Sequence, residues 1–461
     1  MTLHIKPFRG IRYTDSENLT ALTSPPYDVI DADFCQRLLE RHPNNTVRLN
    51  LNPSDSPHLS AKEAYTQWSQ EGVLAADETP ALYAYTQQWH EGDKTITRKG
   101  FITAVLLDDE ADSDSPEFKA SLRTILPHER TIHKYIKERI ELYQTLLLNL
   151  SPIFLIYDDP TRQLEAPLFA AADEENHWHT STDDDGVIHR IQPVTCQATI
   201  AHVQKHMETQ RLLIADGHHR FQTALTLKHA TREALKQETG DVPPLGSLPT
   251  DYLFTFVTNL ADDGLTVYPT HRLLNQLPEG MTSETFEAKL LEWFDVVDDG
   301  VFESNPATFK YQKGGTSSVK TLSIKPERLS ELNIPKALEE LDVTLLDAVV
   351  MTRFYNSCAQ DLKANGTLRF DRDEAVAHHQ LDSGKSVIGF WMHAPDVRQV
   401  KTICESGELM PQKSTYFYPK LQTGLVFYPY HALFTEQSSV SAIKDATAVK
   451  PFRLNEALAA L

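Results

Sequence analysis

Residues 212 to 224 read Leu-Leu-Ile-Ala-Asp-Gly-His-His-Arg-Phe-Gln-Thr-Ala, an apolar run that breaks at Asp216-Gly217-His218-His219-Arg220 and resumes with Phe221, Ala224 and Leu225 at helical spacing. The pattern predicts a strand, a tight turn and a helix start. A helix start presents backbone N–H groups and a partial positive charge, so two imidazoles and a guanidinium beside it suit an anion. Arg220 has the fork to grip phosphate oxygens bidentately, and Gly217 tolerates the positive φ and close ligand approach of such a turn. The same residues also fit a plain reading in which Asp216 caps the helix, His218 and His219 are solvated and Arg220 pairs with an acid.

The second feature is Leu126-Pro127-His128-Glu129, ahead of a helical pattern with Ile132, Ile136, Ile140, Tyr143, Leu147 and Leu150 on one side. Glu129 therefore falls near a helix start, where the dipole favours a carboxylate whether or not it does chemistry. The third is Gly407-Glu408-Leu409-Met410-Pro411-Gln412-Lys413-Ser414-Thr415, after a predicted helix from about Pro395 to Ser406. Lys413, Ser414 and Thr415 offer a cation and two hydroxyls for substrate or phosphate, and equally make a polar loop before Tyr416-Phe417-Tyr418.

The Asp216–Arg220 string resembles the phosphate-binding signature of the ParB and sulfiredoxin superfamily, and within it the free serine kinases. Those kinases also carry Pro-His-Glu before their first major helix, and a Gly-Glu then Pro-Lys-Thr-Thr segment. Here Gln412 is inserted after Pro411, and Ser414 replaces a Thr. The resemblance implies that Gly217, His218, His219 and Arg220 hold nucleotide phosphates. It further implies that Glu129 is the catalytic base, with Asp216 as an alternative base or metal contact, and that His128, Lys413, Ser414 and Thr415 meet the substrate. The activity implied is phosphoryl transfer from ATP or ADP, with Mg²⁺ bridging the phosphates, to a small hydroxylated metabolite, free L-serine first. Such transfer needs mainly positioning, charge neutralisation and a proton acceptor. Two alternatives stay open: a nucleotide-binding or hydrolysing regulator of ParB type, and the reverse reaction on phosphoserine.

Landmarks spread along the chain resemble a bacterial family of a domain of unknown function, number 1015. They are Ser24-Pro25-Pro26-Tyr27-Asp28-Val29-Ile30, Leu150-Ser151-Pro152-Ile153-Phe154, Thr270-His271-Arg272-Leu273-Leu274 and Tyr418-Pro419-Lys420-Leu421-Gln422-Thr423-Gly424-Leu425-Val426.

The elements that must position these residues point to an α/β (α+β) protein with a ParB/sulfiredoxin-like nucleotide-binding core. Three segments are expected: 1–110, mainly strand-containing with two helical stretches; 118–270, the core; and 271–461, an α/β portion supplying the substrate loop. Ala81–His90 and Thr95–Leu107 read as a hairpin around Glu91-Gly92-Asp93-Lys94, and Asp108–Glu117 as a linker. Strands are also expected at Pro152–Tyr157, Tyr252–Leu260, Ser386–Met392 and Gly424–Tyr428. If the three anchors form one site, Glu129, Asp216 and Lys413 must line one cleft.

Charge narrows the partners. With 64 acidic against 44 basic residues the net charge is −20, and no Lys/Arg block appears, which disfavours nucleic acid but not a small phosphorylated ligand. No apolar run of about 18 residues and no cationic, apolar leader pattern occur, so neither a membrane partner nor secretion is expected, and the cytoplasm is the expected location. Oligomeric state is not legible. Cys35, Cys196, Cys358 and Cys404 are too scattered for a zinc site or disulfide scaffold. Ser383-Gly384-Lys385-Ser386 lacks the first glycine of a P-loop, which would fall at His379. His177 and His179, two residues apart on a strand, and His189 have the residue type of metal ligands, but surface histidines of a polar hairpin are the simpler reading, and the residues that would contact a metal are not legible.

Overall fold

The computed structural model describes residues 2–107, 124–129 and 133–430. The chain forms two compact units, one of Met1–Leu126, Thr131–Leu265 and Pro419–Leu461, the other of Pro127–Arg130 and Thr266–Tyr418.

The first unit is built on a nine-stranded mixed sheet. Its strands are β1 (Ile5–Lys6), β2 (Leu82–Glu91), β3 (Lys94–Leu106), β4 (Ile125–Leu126), β5 (Ile153–Tyr157), β6 (His179–Thr182), β7 (Ile188–Val194), β8 (Leu212–Asp216) and β9 (Tyr252–Asn259). Their order is β4-β8-β5-β9-β3-β2-β7-β6, with β1 paired to β3. The expected hairpin is the β2–β3 pair, closing where Glu91 faces Lys94. β5 reads Ile-Phe-Leu-Ile-Tyr and is buried at every position, as a central strand covered on both faces must be. Helices α1 (His133–Leu146) and α2 (His218–Thr239) pack on each other. Of the expected apolar side, Ile140 and Tyr143 are buried in α1, whereas Leu147 and Leu150 lie beyond the helix, which ends at Leu146.

The second unit holds a six-stranded antiparallel sheet of β10 (His271–Leu274), β11 (Phe294–Val297), β12 (Thr308–Lys313), β13 (Val319–Ile324), β14 (Leu368–Asp371) and β15 (Ile388–Trp391), in the order β11-β13-β12-β15-β10-β14. A helix at Asp342–Leu346 runs directly into a π-helical stretch at Asp347–Phe354.

The mixed α/β class is as expected, whereas the three-segment division is not. β2 and β3, from the first segment, share a sheet with β9, because β3 and β9 pair over seven positions from Tyr252↔Leu106 to Thr258↔Gly100. The C-terminal portion is also divided, since Pro419–Tyr430 returns to the first unit and pairs Tyr428–Pro429 with Leu148–Asn149. The strand expected at Gly424–Tyr428 shrinks to Tyr428–Pro429 plus a bridge at Phe427. Gly424 turns the chain there at φ +106, and a Cβ on it would lie 2.4 Å from Thr46 Oγ1. The linker expected at Asp108–Glu117 lies outside the described residues. Among the described residues no helix is long and apolar enough to cross a membrane.

Candidate active site

In the first unit, β8 slips register against β5 between Ile214 and Asp216, immediately before the turn. Such an irregularity re-aims the residue that follows it. Gly217 then takes φ +99 at the head of the 22-residue helix α2, so the expected strand, left-handed turn and helix start are present. A Cβ on Gly217 would sit 3.2 Å from the Arg220 guanidinium, so the arginine packs directly against the turn.

Arg220 is buried. Its Nη2 donates to Asp216 Oδ2 at 2.7 Å and its Nη1 donates to the Pro152 carbonyl at 2.5 Å. Burial works against its charge, but the carboxylate of Asp216, then Asp28, outweigh it and keep the guanidinium above its ordinary range. The other oxygen of Asp216 accepts from Lys420 Nζ at 2.5 Å. Asp216 is thus clamped between two cations.

Lys420 is placed by the sheet. The fully buried Arg98 on β3 donates from Nη2 to the Pro419 carbonyl at 2.6 Å, and Gln87 on β2 donates to the Lys420 carbonyl at 2.8 Å. The Arg98 guanidinium lies 4.5 Å over the Phe154 ring, and burial pushes it down to about 10. Nearby, Ser151 and Thr423 share a hydroxyl hydrogen bond at 2.9 Å, and Ser24 and Thr423 exchange backbone bonds. Tyr27 is pushed up to about 12 by burial and Asp28, against the opposing charges of Arg220 and Arg139. The Arg139 guanidinium lies 4.1 Å over its ring. Three landmark segments, around residues 24, 151 and 420, therefore meet beside the Asp216 turn.

The second unit gathers the other predicted residues. His128 is buried, its Nε2 lying 3.0 Å from Thr415 Oγ1 and 3.8 Å from Glu129 Oε1, while its carbonyl accepts from Met410 N at 2.8 Å. Ser414 is buried and donates to the Pro411 carbonyl at 2.5 Å, whereas Lys413 is exposed with φ +57. Arg272 on β10 is buried and donates from Nη2 to the Lys413 carbonyl at 3.1 Å. Burial lowers Arg272, opposed by Asp342, Asp347 and Glu129. Burial also raises Asp347, and pushes Asp342 up to about 7 although its carboxylate accepts from His393 N at 2.7 Å and Val343 N at 2.6 Å.

The predicted residues thus fall into two groups, Asp216, Gly217, His218, His219 and Arg220 in one unit, and His128, Glu129, Lys413, Ser414 and Thr415 in the other. Arg220 differs from expectation in that its fork is already engaged by Asp216 and Pro152. Lys420, Arg98 and Arg272 were missed as chemical residues. Lys420 and Arg272 lie in landmark segments, which was the available signal; Arg98 had none.

The decoys resolve plainly. Ser383–Ser386 follows the helix Glu374–Asp382 and leads into β15, the reverse of a P-loop's strand-to-helix order. His189 sits between Tyr85 Oη at 2.7 Å and Asp183 Oδ2 at 3.0 Å, while His179 faces Arg12. Among the described residues, no three His, Cys, Asp or Glu side chains are grouped to hold a metal ion.

Among solved structures, a free serine kinase in complex with AMP is 14% identical, with a TM-score of 0.34 over 68% of this chain and 96% of that one. SbnI with a C-terminal truncation, from Staphylococcus aureus, is 11% identical with a TM-score of 0.34 over 72% and 93%. A conserved hypothetical protein from Pyrococcus furiosus is 15% identical with a TM-score of 0.32 over 66% and 92%. Likeness of this size carries no weight for fold or chemistry. No curated protein matches the chain. A family model described as protein of unknown function (DUF1015) matches residues 5–344.

Proposed function

The chain belongs to the DUF1015 family, and we propose that it is a nucleotide-dependent phosphotransferase with a ParB/sulfiredoxin-like core, acting on a small hydroxylated metabolite, free L-serine first. The observation that carries the reading is the Asp216 turn. A left-handed glycine opens a long helix there, and two cations, Arg220 and Lys420, converge on one carboxylate.

In this reading the first-turn amides of α2, with His218 and His219, receive the phosphates of ATP or ADP. Arg220, packed on Gly217, supplies fixed positive charge next to those amides. Lys420 is the movable cation, able to exchange Asp216 for a phosphate oxygen. The hydroxyl oxygen of the acceptor forms the new P–O bond as the bond to the nucleotide breaks, and Glu129 takes the hydroxyl proton. His128, Lys413, Ser414 and Thr415 are assigned to the acceptor. The residues do not fit a protein-held metal: Asp216 is occupied by two cations, and among the described residues no three His, Cys, Asp or Glu side chains are grouped to hold one.

The test is phosphorus NMR of purified protein with ATP or ADP, Mg²⁺ and a panel of hydroxy amino acids. A new phosphomonoester signal supports the reading. Nucleotide binding without transfer to any acceptor replaces it with the regulatory alternative, and phosphate leaving phosphoserine for ADP sets the direction in reverse. Absence of nucleotide binding overturns all three.

A further inference from the structure

We propose that Arg272 is a positioning residue that locks the Glu129 segment and the Gln412–Thr415 loop into one arrangement within the Thr266–Tyr418 unit. The importance of that arrangement for transfer rests on the reading of Glu129 as base and the loop as acceptor site.

Arg272 sits on β10, flanked by β14 and β15, so its backbone is fixed by ladders on both sides. Its side chain is buried, with Nη1 on the Thr270 carbonyl and Nη2 on the carbonyls of Lys413 at 3.1 Å and Gln412 at 3.4 Å. Those two carbonyls flank the α-carbon of Lys413, a non-glycine residue at φ +57 that persists only where its surroundings hold it. The loop is tied again on either side of this point. Met410 donates its N–H to the His128 carbonyl, and Thr415 Oγ1 lies 3.0 Å from His128 Nε2. Glu129 is therefore the neighbour of a residue held at both ends of the loop, while Arg272 holds the middle.

Charge adds the remaining link. Asp342, Asp347 and Glu129 all act on the buried guanidinium, and Asp347 opens the π-helical stretch. π-Helical turns are rare and frequently mark functional sites. Only a planar fork with several donors serves two carbonyls of one loop and a third just before its own strand while remaining charged; an ammonium keeps the charge but not the fork.

The experiment uses the full chain with Arg272→Lys and Arg272→Met. Native-state trypsin cleavage after Lys413, mapped by mass spectrometry, reports loop fixation without requiring activity. Both variants should speed that cleavage about 10-fold or more, since cleavage of a held loop follows its opening. In transfer assays the acceptor KM should rise about 10-fold in both, with kcat recovering within about three-fold of wild type in Arg272→Lys alone. Nucleotide affinity should not move. Unchanged cleavage at Lys413 and unchanged acceptor KM, with only a lower melting temperature, overturn the proposal. If Arg272→Met does not fold, Arg272→Lys carries both readouts. A wild-type protein without transfer activity removes the proposed function, and the Lys413 cleavage rates still decide whether Arg272 fixes the loop.

Discussion

Arg220 carries two duties that a substitution will separate. Because its guanidinium is buried and engages Asp216 and Pro152, Arg220→Ala leaves a carboxylate short of one cation and a carbonyl short of a donor. Breaking such a pair should cost about 3 kcal/mol of stability, visible as a lower urea midpoint, alongside weaker nucleotide binding. An unchanged midpoint would mean that Asp216 is satisfied elsewhere. Glu129 behaves oppositely, since its side chain is only partly buried beside His128. Glu129→Gln should keep the fold and the nucleotide affinity but slow phosphoryl transfer about 10²-fold, the ordinary worth of a general base. Single-turnover assays read this directly, and a fully active variant moves the role of base to Asp216.

At the scale of elements, the passage from the helix Asp342–Leu346 into the π-helical stretch concentrates two acids on one buried arginine. Burial pushes Asp342 from its ordinary 3.8 up to about 7. Between those values the folded protein binds more protons than the unfolded chain, so stability falls as pH rises. The contribution is complete below pH ~4 and gone above pH ~7. Urea unfolding should show the advantage of wild type over Asp342→Asn shrinking by roughly 2 to 4 kcal/mol between pH 4.5 and pH 7.5. A pH-independent difference would place the titration elsewhere. Much at this scale was legible in the sequence. The β2–β3 hairpin, the strand and turn before α2, and the helix Val397–Glu405 all follow local periodicity and turn residues. The π-helical stretch was not, because widening a helix depends on what packs against it rather than on its own residue pattern.

Across the whole molecule, the turn depends on chain that is remote in sequence. Lys420 reaches Asp216 over a separation of 204 residues, held there by Arg98 through the Pro419 carbonyl over 321. Lys420→Met should therefore weaken nucleotide binding about 10-fold, or about 1.4 kcal/mol. Calorimetric titration checks it, and an unchanged affinity would confine Lys420 to charge balance. The sequence by itself determined the residue types at the turn, the left-handed demand on Gly217, the apolar strand before it and the helix after it. Each is a property of a few consecutive residues whose backbone preferences and spacing act locally. Only the tertiary structure decided that Arg220 reaches the Pro152 carbonyl, that Pro419–Tyr430 rejoins the first unit, and that Arg272 holds the Lys413 loop. These pairings join segments whose meeting no local preference encodes; burial of a shared core brings them together, and buried charges then must find their partners there.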